Sequence, residues 1–137
     1  IRSTLETGIR SDHPQARFSQ MPSFGRDKLL EPSQIADVTQ YVLKIAGRPN
    51  EAAAAGRGSA VFAANCTACH GPQGKGDQAQ GAPNLTDKEW LYGGTPEEIS
   101  TQIYLGRGGV MPIMSQRLDP ATLNAVAYYV HSLGGGT

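Results

Sequence analysis

Apolar residues recur at helical spacing in several stretches of the chain. In residues 31–46, EPSQIADVTQYVLKIA, they return every three or four positions and so share one face of a helix, at Ile35, Val38, Val42 and Ile45. Further helices are predicted over residues 57–69, 95–105 and 119–134, with a short one over 86–90. No segment combines strand alternation with hairpin signals, so the pattern predicts an all-α fold.

The helix ends carry their own signals. Thr95-Pro96-Glu97-Glu98 has the form of a capping box with proline in the first turn, and Thr86-Asp-Lys-Glu89 repeats the box. Asp119-Pro120 caps the last predicted helix. Arg48 to Gly56, with one proline and four consecutive alanines, is interpreted as a linker that is at most partly helical.

Composition narrows the class of protein. The 12 basic and 12 acidic residues give a formal net charge of zero, which favours no nucleic-acid partner. The sequence contains no run of about 18 apolar residues, which is the length that would span a membrane. The two cysteines are Cys66 and Cys69, so a disulfide framework and a four-cysteine zinc site are both excluded.

Those two cysteines form the motif Cys66-Thr-Ala-Cys69-His70, which is typical of c-type haem attachment. One turn of backbone places both sulfurs along the porphyrin edge that carries the vinyl groups, and the histidine that follows becomes the proximal iron ligand. A redox dithiol would need a βαβ context, and zinc would need further ligands, for which only His13 and His131 remain. The motif predicts one covalent haem c, export from the bacterial cytoplasm and electron transfer.

The first 47 residues resemble the last 35. The matched stretches are Met21-Pro22 with Met111-Pro112, Leu30-Glu31-Pro32 with Leu118-Asp119-Pro120, Ile35 with Leu123, Tyr41-Val42 with Tyr129-Val130, Gly47 with Gly135 and Gly8-Ile9-Arg10 with Gly106-Arg107-Gly108. Because only the second copy has a haem motif, the repeat predicts that residues 1–47 are the C-terminal half of a first cytochrome c domain whose front half lies upstream of Ile1. Residues 48–55 would be a linker and residues 56–137 a complete class I cytochrome c domain.

The chain resembles the dihaem subunit III of cbb3-type cytochrome c oxidases. The resemblance rests on Met21-Pro-Ser-Phe-Gly25, Asn65-Cys-Thr-Ala-Cys-His-Gly71, Gly81-Ala-Pro-Asn-Leu-Thr-Asp87, Trp90-Leu-Tyr-Gly-Gly94, Gly106-Arg-Gly-Gly-Val-Met-Pro112 and Tyr129-Val-His-Ser-Leu-Gly134. It implies two class I domains on the periplasmic side of the bacterial inner membrane. They would relay electrons from a soluble or membrane donor cytochrome, through haem c subunit II, to the haem–copper oxygen-reducing centre of catalytic subunit I. The chain itself would be an electron-transfer subunit, held at the membrane only through an upstream anchor.

The resemblance also suggests the remaining ligands. Class I cytochromes take a methionine from the position of Met111, which predicts a His70/Met111 pair with Met114 as the neighbouring rival. Met21 and a distal histidine are the other candidates for this position; by the resemblance Met21 would serve the first haem, or else it would bind a haem in another molecule. The carbonyl of Pro83 would accept the Nδ1 proton of His70.

Other residues are expected around the haem by the same resemblance. Gly58 and Phe62 would cross Tyr129, and Arg107 would pair with a propionate or stay exposed. The pocket residues would be Leu85, Trp90, Tyr92, Ile103 and Val110. Two further functions stay open: a soluble monohaem cytochrome serving a dehydrogenase, and a haem sensor or enzyme with an open sixth site.

Overall fold

The computed structural model describes residues 1–134, in which helices joined by turns and loops form the fold. Its helices are α1 (Arg2–Thr7), α2 (Pro32–Ile45), α3 (Ala52–Asn65), α4 (Thr67–His70), α5 (Pro96–Leu105) and α6 (Pro120–Ser132), with a 3₁₀ turn at Met114–Gln116. Strand pairing in these residues is limited to isolated bridges. The all-α class is therefore confirmed. Within the described residues, no helix has the length and apolar character needed to cross a membrane.

The helix predictions differ from the structure at three places. Helix α3 begins at Ala52, inside the predicted linker, and α1 occupies a stretch in which we predicted no element. The short helix predicted over residues 86–90 is wrong, because side chains there close turns instead. Asn84 Oδ1 accepts the Thr86 N–H at 2.9 Å, and Asp87 Oδ1 accepts the Glu89 N–H at 2.9 Å. Such local bonds compete with a helix.

The chain forms two compact units. One, here called the central unit, is the continuous stretch Gln20–Arg107. The other, the terminal unit, joins Ile1–Ser19 to the described residues from Gly108 onward. These units do not follow the repeat, because each combines segments of both copies. The division into residues 1–47, 48–55 and 56–137 stays a prediction.

The central unit is built on the crossing of α2 and α3. Gly58 of α3 is buried, and a Cβ on it would lie 2.9 Å from Val38 Cα of α2. Val38 is fully buried, and the Phe62 ring lies 5.1 Å from the Tyr41 ring. The repeat matches Tyr41 with Tyr129, so the aromatic residue at this crossing comes from the first copy.

A core of nine buried residues holds the central unit together. Helix α2 contributes an apolar face of four of them, which confirms the predicted amphipathic pattern except that Ile45 is only partly buried. The full set is Phe24, Leu30, Ile35, Val38, Val42, Leu43, Phe62, Ile99 and Ile103. Removing such side chains from water is the main source of stability for a unit of this size.

The terminal unit pairs α1 with the segment around Met111. Ile9 and Met111 exchange two backbone hydrogen bonds, of 3.1 and 2.9 Å, and Ser115 Oγ donates to the Glu6 carbonyl at 2.8 Å. Leu5 of α1 and Leu123 of α6 are its buried apolar residues. This unit therefore depends on residues about a hundred positions apart in sequence.

Candidate haem-attachment site

The Cys66–His70 motif lies where α3 gives way to the single turn α4. The Cys66 N–H donates to the Phe62 carbonyl at 2.8 Å, and the His70 N–H donates to the Cys66 carbonyl at 2.9 Å. This turn places both thiols on one short stretch of helix, with Cys66 half-buried and Cys69 exposed. The arrangement suits two thioether bonds to one edge of a macrocycle.

His70 is oriented by a backbone carbonyl. Its side chain is buried, and Nδ1 lies 3.0 Å from the Pro83 carbonyl oxygen. With the Nδ1 proton donated to that carbonyl, the Nε2 lone pair is left available for iron. The proline was expected to have this role by resemblance, and the structure brings the two atoms together.

A glycine allows the loop to reach the histidine. Gly76 has φ +81°, and its N–H donates to the His70 carbonyl at 2.8 Å. A Cβ at this position would lie 2.5 Å from the Ala82 carbonyl oxygen. The polar Gly-rich loop therefore folds back tightly enough to carry Pro83 to the imidazole.

Burial also affects the first cysteine. Loss of solvation, with a smaller contribution from the neighbouring Cys69, raises the pKa of the Cys66 thiol to about 11. The group is therefore a neutral thiol near pH 7 rather than a reactive thiolate. That state argues against a redox dithiol, which depends on a lowered thiol pKa.

Trp90 supplies an independent sign that a polar group belongs beside the core. Its indole Nε1 is buried and is the one buried side-chain polar atom among the described residues without a hydrogen-bond partner. Arg48 lies with its guanidinium carbon 5.1 Å from the centre of the Trp90 ring and donates to the Gly94 carbonyl. A buried donor beside a cation fits a carboxylate such as a haem propionate. The residues present therefore fit a covalently attached haem.

Four other predicted pocket residues belong to the central unit. Ile103 is part of the nine-residue core, and Leu85 packs against that core. Arg107 is exposed, with its guanidinium carbon 5.0 Å from the centre of the Tyr92 ring and its Nε donating to Gln102 Oε1 at 3.2 Å. The guanidinium thus has aromatic and amide partners of its own.

The last two predicted site residues, Val110 and Met111, belong to the terminal unit. Val110 is 67% exposed. Met111 is partly buried, and its backbone pairs with Ile9. The role of Met111 as sixth ligand stays a prediction.

Sequence reasoning missed one residue near this site and favoured a different haem for another. Arg48 was placed in the linker, although its stacking on the tryptophan ring brings it to the core. Met21, assigned to a different haem, packs against the same core as Cys66. The repeat matches this residue with Met111, and Met21 is already one of the candidate ligands that the sequence offers.

Comparison with known proteins gives one consistent result. The family described as cytochrome c oxidase, cbb3-type, subunit III matches residues 53–130. The cbb3-type cytochrome c oxidase subunit FixP of Bradyrhizobium sp. (strain ORS 278) is 50% identical over 99% of this chain and 47% of the relative. A subunit CcoP of Rhodobacter capsulatus is 52% identical over 99% of this chain and 49% of the relative.

A third relative, subunit CcoP of Cereibacter sphaeroides, is 47% identical over 99% of this chain and 47% of its own length. The chain thus spans about half the length of the curated relatives it matches. The family match covers more than half of the chain and includes both cysteines and the histidine. The chain therefore belongs to the subunit III family of cbb3-type cytochrome c oxidases.

Proposed function

We propose that the chain carries one covalently bound haem c and transfers single electrons within a cbb3-type cytochrome c oxidase. One observation carries the proposal: the buried His70 has its Nδ1 atom 3.0 Å from the Pro83 carbonyl, directly after the two cysteines. The haem supplies a one-electron iron couple. The protein's part is to hold that group at a fixed ligation and to limit reorganisation when the charge changes.

Each residue of the site has a separate part in this function. Cys66 and Cys69 tether the group, and His70 binds the iron through Nε2. The Pro83 carbonyl keeps the imidazole in one tautomer and raises its basicity. A methionine thioether completes the ligation, closes the iron to substrates and raises the reduction potential. The sequence predicts Met111 for that position.

The names of the relatives support the place of this electron transfer. Each is a subunit of a cbb3-type cytochrome c oxidase. By this relationship the chain would receive electrons from a donor cytochrome on the periplasmic side of the inner membrane. It would pass them to the haem c subunit II and so to catalytic subunit I, where oxygen is reduced.

Spectroscopy of the purified holoprotein tests the proposal. We expect one haem per chain in a pyridine haemochrome assay, a one-electron redox titration, and the weak long-wavelength ferric band of an iron–methionine bond. Rapid CO binding to the ferrous wild type would contradict the proposal, because it needs an open sixth position and would favour a sensor or enzyme. Co-purification with oxidase subunits would distinguish this function from that of a free cytochrome serving a dehydrogenase.

A further inference from the structure

The Gly-rich loop after the haem motif folds into a small hairpin. Asp77 and Ala82 exchange two backbone hydrogen bonds, each of 3.0 Å. Further along, the Leu85 N–H donates to the Gly74 carbonyl at 2.7 Å. Pro83 lies between these two pairings, so the hairpin sets the position of its carbonyl. The hydrogen bond that this carbonyl accepts from the imidazole therefore depends on how the hairpin is held.

Apolar packing holds the base of the hairpin but not its tip. Leu85 packs against the nine-residue core, and Gly74 is buried. Residues 78–81 at the tip are exposed, and Pro83 is exposed as well. Gly76, where the hairpin leaves the haem motif, has φ +81° and the conformational freedom of a glycine. Polar contacts at the tip are therefore needed to keep the Pro83 carbonyl against the imidazole.

Asp77 shapes the tip through its side chain. Its Oδ1 accepts the Ala79 N–H at 2.8 Å and the Gln80 N–H at 3.4 Å, which closes an aspartate turn. Its Oδ2 accepts a hydrogen bond from Gln80 Nε2 at 3.3 Å. The carboxylate thus fixes both the backbone of the tip and the direction of the Gln80 side chain.

The Gln80 amide joins the tip to the haem motif. Its Nε2 also donates to the Ala68 carbonyl at 2.9 Å, across twelve positions of the sequence. Ala68 lies between the two cysteines in the single turn α4. The last carbonyls of a helix have no partner within it and are free to accept such a bond. The tether therefore links the hairpin directly to the turn that carries Cys66, Cys69 and His70.

From these contacts we infer that Gln80 is a positioning residue for the proximal ligand. By tying the hairpin tip to the Ala68 carbonyl, it holds the Pro83 carbonyl against His70 Nδ1. The inference rests on the proposed function, since its consequence is measured at the haem iron. The bond that Nδ1 donates raises the basicity of the imidazole, and a more basic ligand stabilises ferric over ferrous iron. Loss of the tether should therefore raise the midpoint potential.

Two measurements on the full holoprotein test the inference. In a redox titration, Gln80→Ala should have a higher midpoint potential than the wild type. In NMR of the ferrous state, the His70 Nδ1 proton of this variant should exchange with solvent about fivefold faster, the factor that corresponds to one net hydrogen bond. Gln73→Ala is the matched control, because it removes an exposed amide from the same loop without touching the tether. It should leave both values unchanged.

Gln80→Leu separates the tether from the bulk of the side chain. Leucine is similar in size and also uncharged, but it has no N–H to donate to the Ala68 carbonyl. We therefore expect the same rise in potential and the same faster exchange as in Gln80→Ala. Wild-type values in either variant, even with a lowered thermal midpoint, would make Gln80 only structural and would overturn the inference. A wild type without a covalent haem and its one-electron couple would refute the proposed function itself, before any variant is compared.

Discussion

Gly58 gives the sharpest test of the helix crossing beside the haem motif. A Cβ at this position would lie 2.5 Å from the carbonyl carbon of Asp37 and 2.9 Å from Val38 Cα, and closer still to the Asp37 carbonyl oxygen. These are backbone atoms of α2 and cannot rotate away. Gly58→Ala therefore forces α2 and α3 about 1 Å further apart, because ordinary carbon contacts begin near 3.4 Å.

The expected cost is the difference between two opposing effects. Alanine is better than glycine inside a helix by about 1 kcal/mol. Overpacking a close contact costs about 1–3 kcal/mol, and a clash with backbone belongs at the upper end of that range. We therefore expect Gly58→Ala to reduce the free energy of unfolding by about 2 kcal/mol. Each kcal/mol lowers the thermal midpoint of a domain the size of the central unit by about 4–8 °C.

Thermal unfolding of the holoprotein, followed by far-ultraviolet circular dichroism, measures this change. Gly56→Ala is the matched control, since it lies in the same helix and a Cβ there meets no atom within 4 Å. It should stabilise the protein by about 0.5–1 kcal/mol. If Gly58→Ala raises the midpoint as Gly56→Ala does, α2 does not cross α3 at Gly58 and the reasoning is refuted.

Three further predictions concern the loop, the ion pair and the core. Gly76→Ala should shift the haem midpoint potential, measured by voltammetry, and should destabilise the protein more than Gly47→Ala does. Both glycines have positive φ, but only Gly76 has a carbonyl where its Cβ would lie. Equal effects of the two substitutions on the potential would contradict this. A hydrogen bond from Arg57 lowers the pKa of Asp37 below its ordinary 3.8, so the pair stabilises the fold above that pH and the contribution is lost as pH falls through the lowered value. Asp37→Asn should therefore be less stable than wild type at neutral pH, with the difference vanishing in an acid titration; a constant difference would exclude the ion pair. Phe62→Ala should cost about 3–5 kcal/mol in urea unfolding and Phe62→Leu clearly less, since the ring is 2% exposed, and equal losses would argue against a packed ring.

Local patterns were sufficient to predict most helices. The spacing of apolar residues and the caps placed α2, α5 and α6 within two residues of their observed ends. At α5 the capping box is present, with Thr95 and Glu98 each accepting the other's backbone N–H. These signals are local in sequence, which is why they can be read without the tertiary fold.

Other features depend on tertiary contacts that sequence periodicity does not carry. Helix α1 has only six residues, too few for a periodic pattern, and it is held by distant partners such as Ser115. The repeat revealed two equivalent C-terminal segments but not which one would pack on α3. Tyr41 and Tyr129 have matching neighbours, and local sequence cannot choose between equivalent partners.

The candidate site also has one part that the sequence predicts and another part that only the structure reveals. The motif Cys66 to His70 identifies its chemistry from spacing alone. The unpartnered indole of Trp90 and the guanidinium of Arg48 stacked on its ring become visible only in three dimensions. Pairs that lie far apart in sequence leave no periodic trace, so a structure is needed to join them.

The continuity of the central unit has a consequence for the order of folding. Residues 20–107 emerge as one uninterrupted stretch, and the α2 segment is available before the haem motif arrives. The terminal unit, by contrast, closes a loop of about a hundred residues, because Glu6 must wait for Ser115. Since chain closure becomes more costly in entropy as loops lengthen, the central unit should assemble before the terminal unit. Cys66 and Cys69 would then lie on a largely formed scaffold before Ser115 reaches the Glu6 carbonyl.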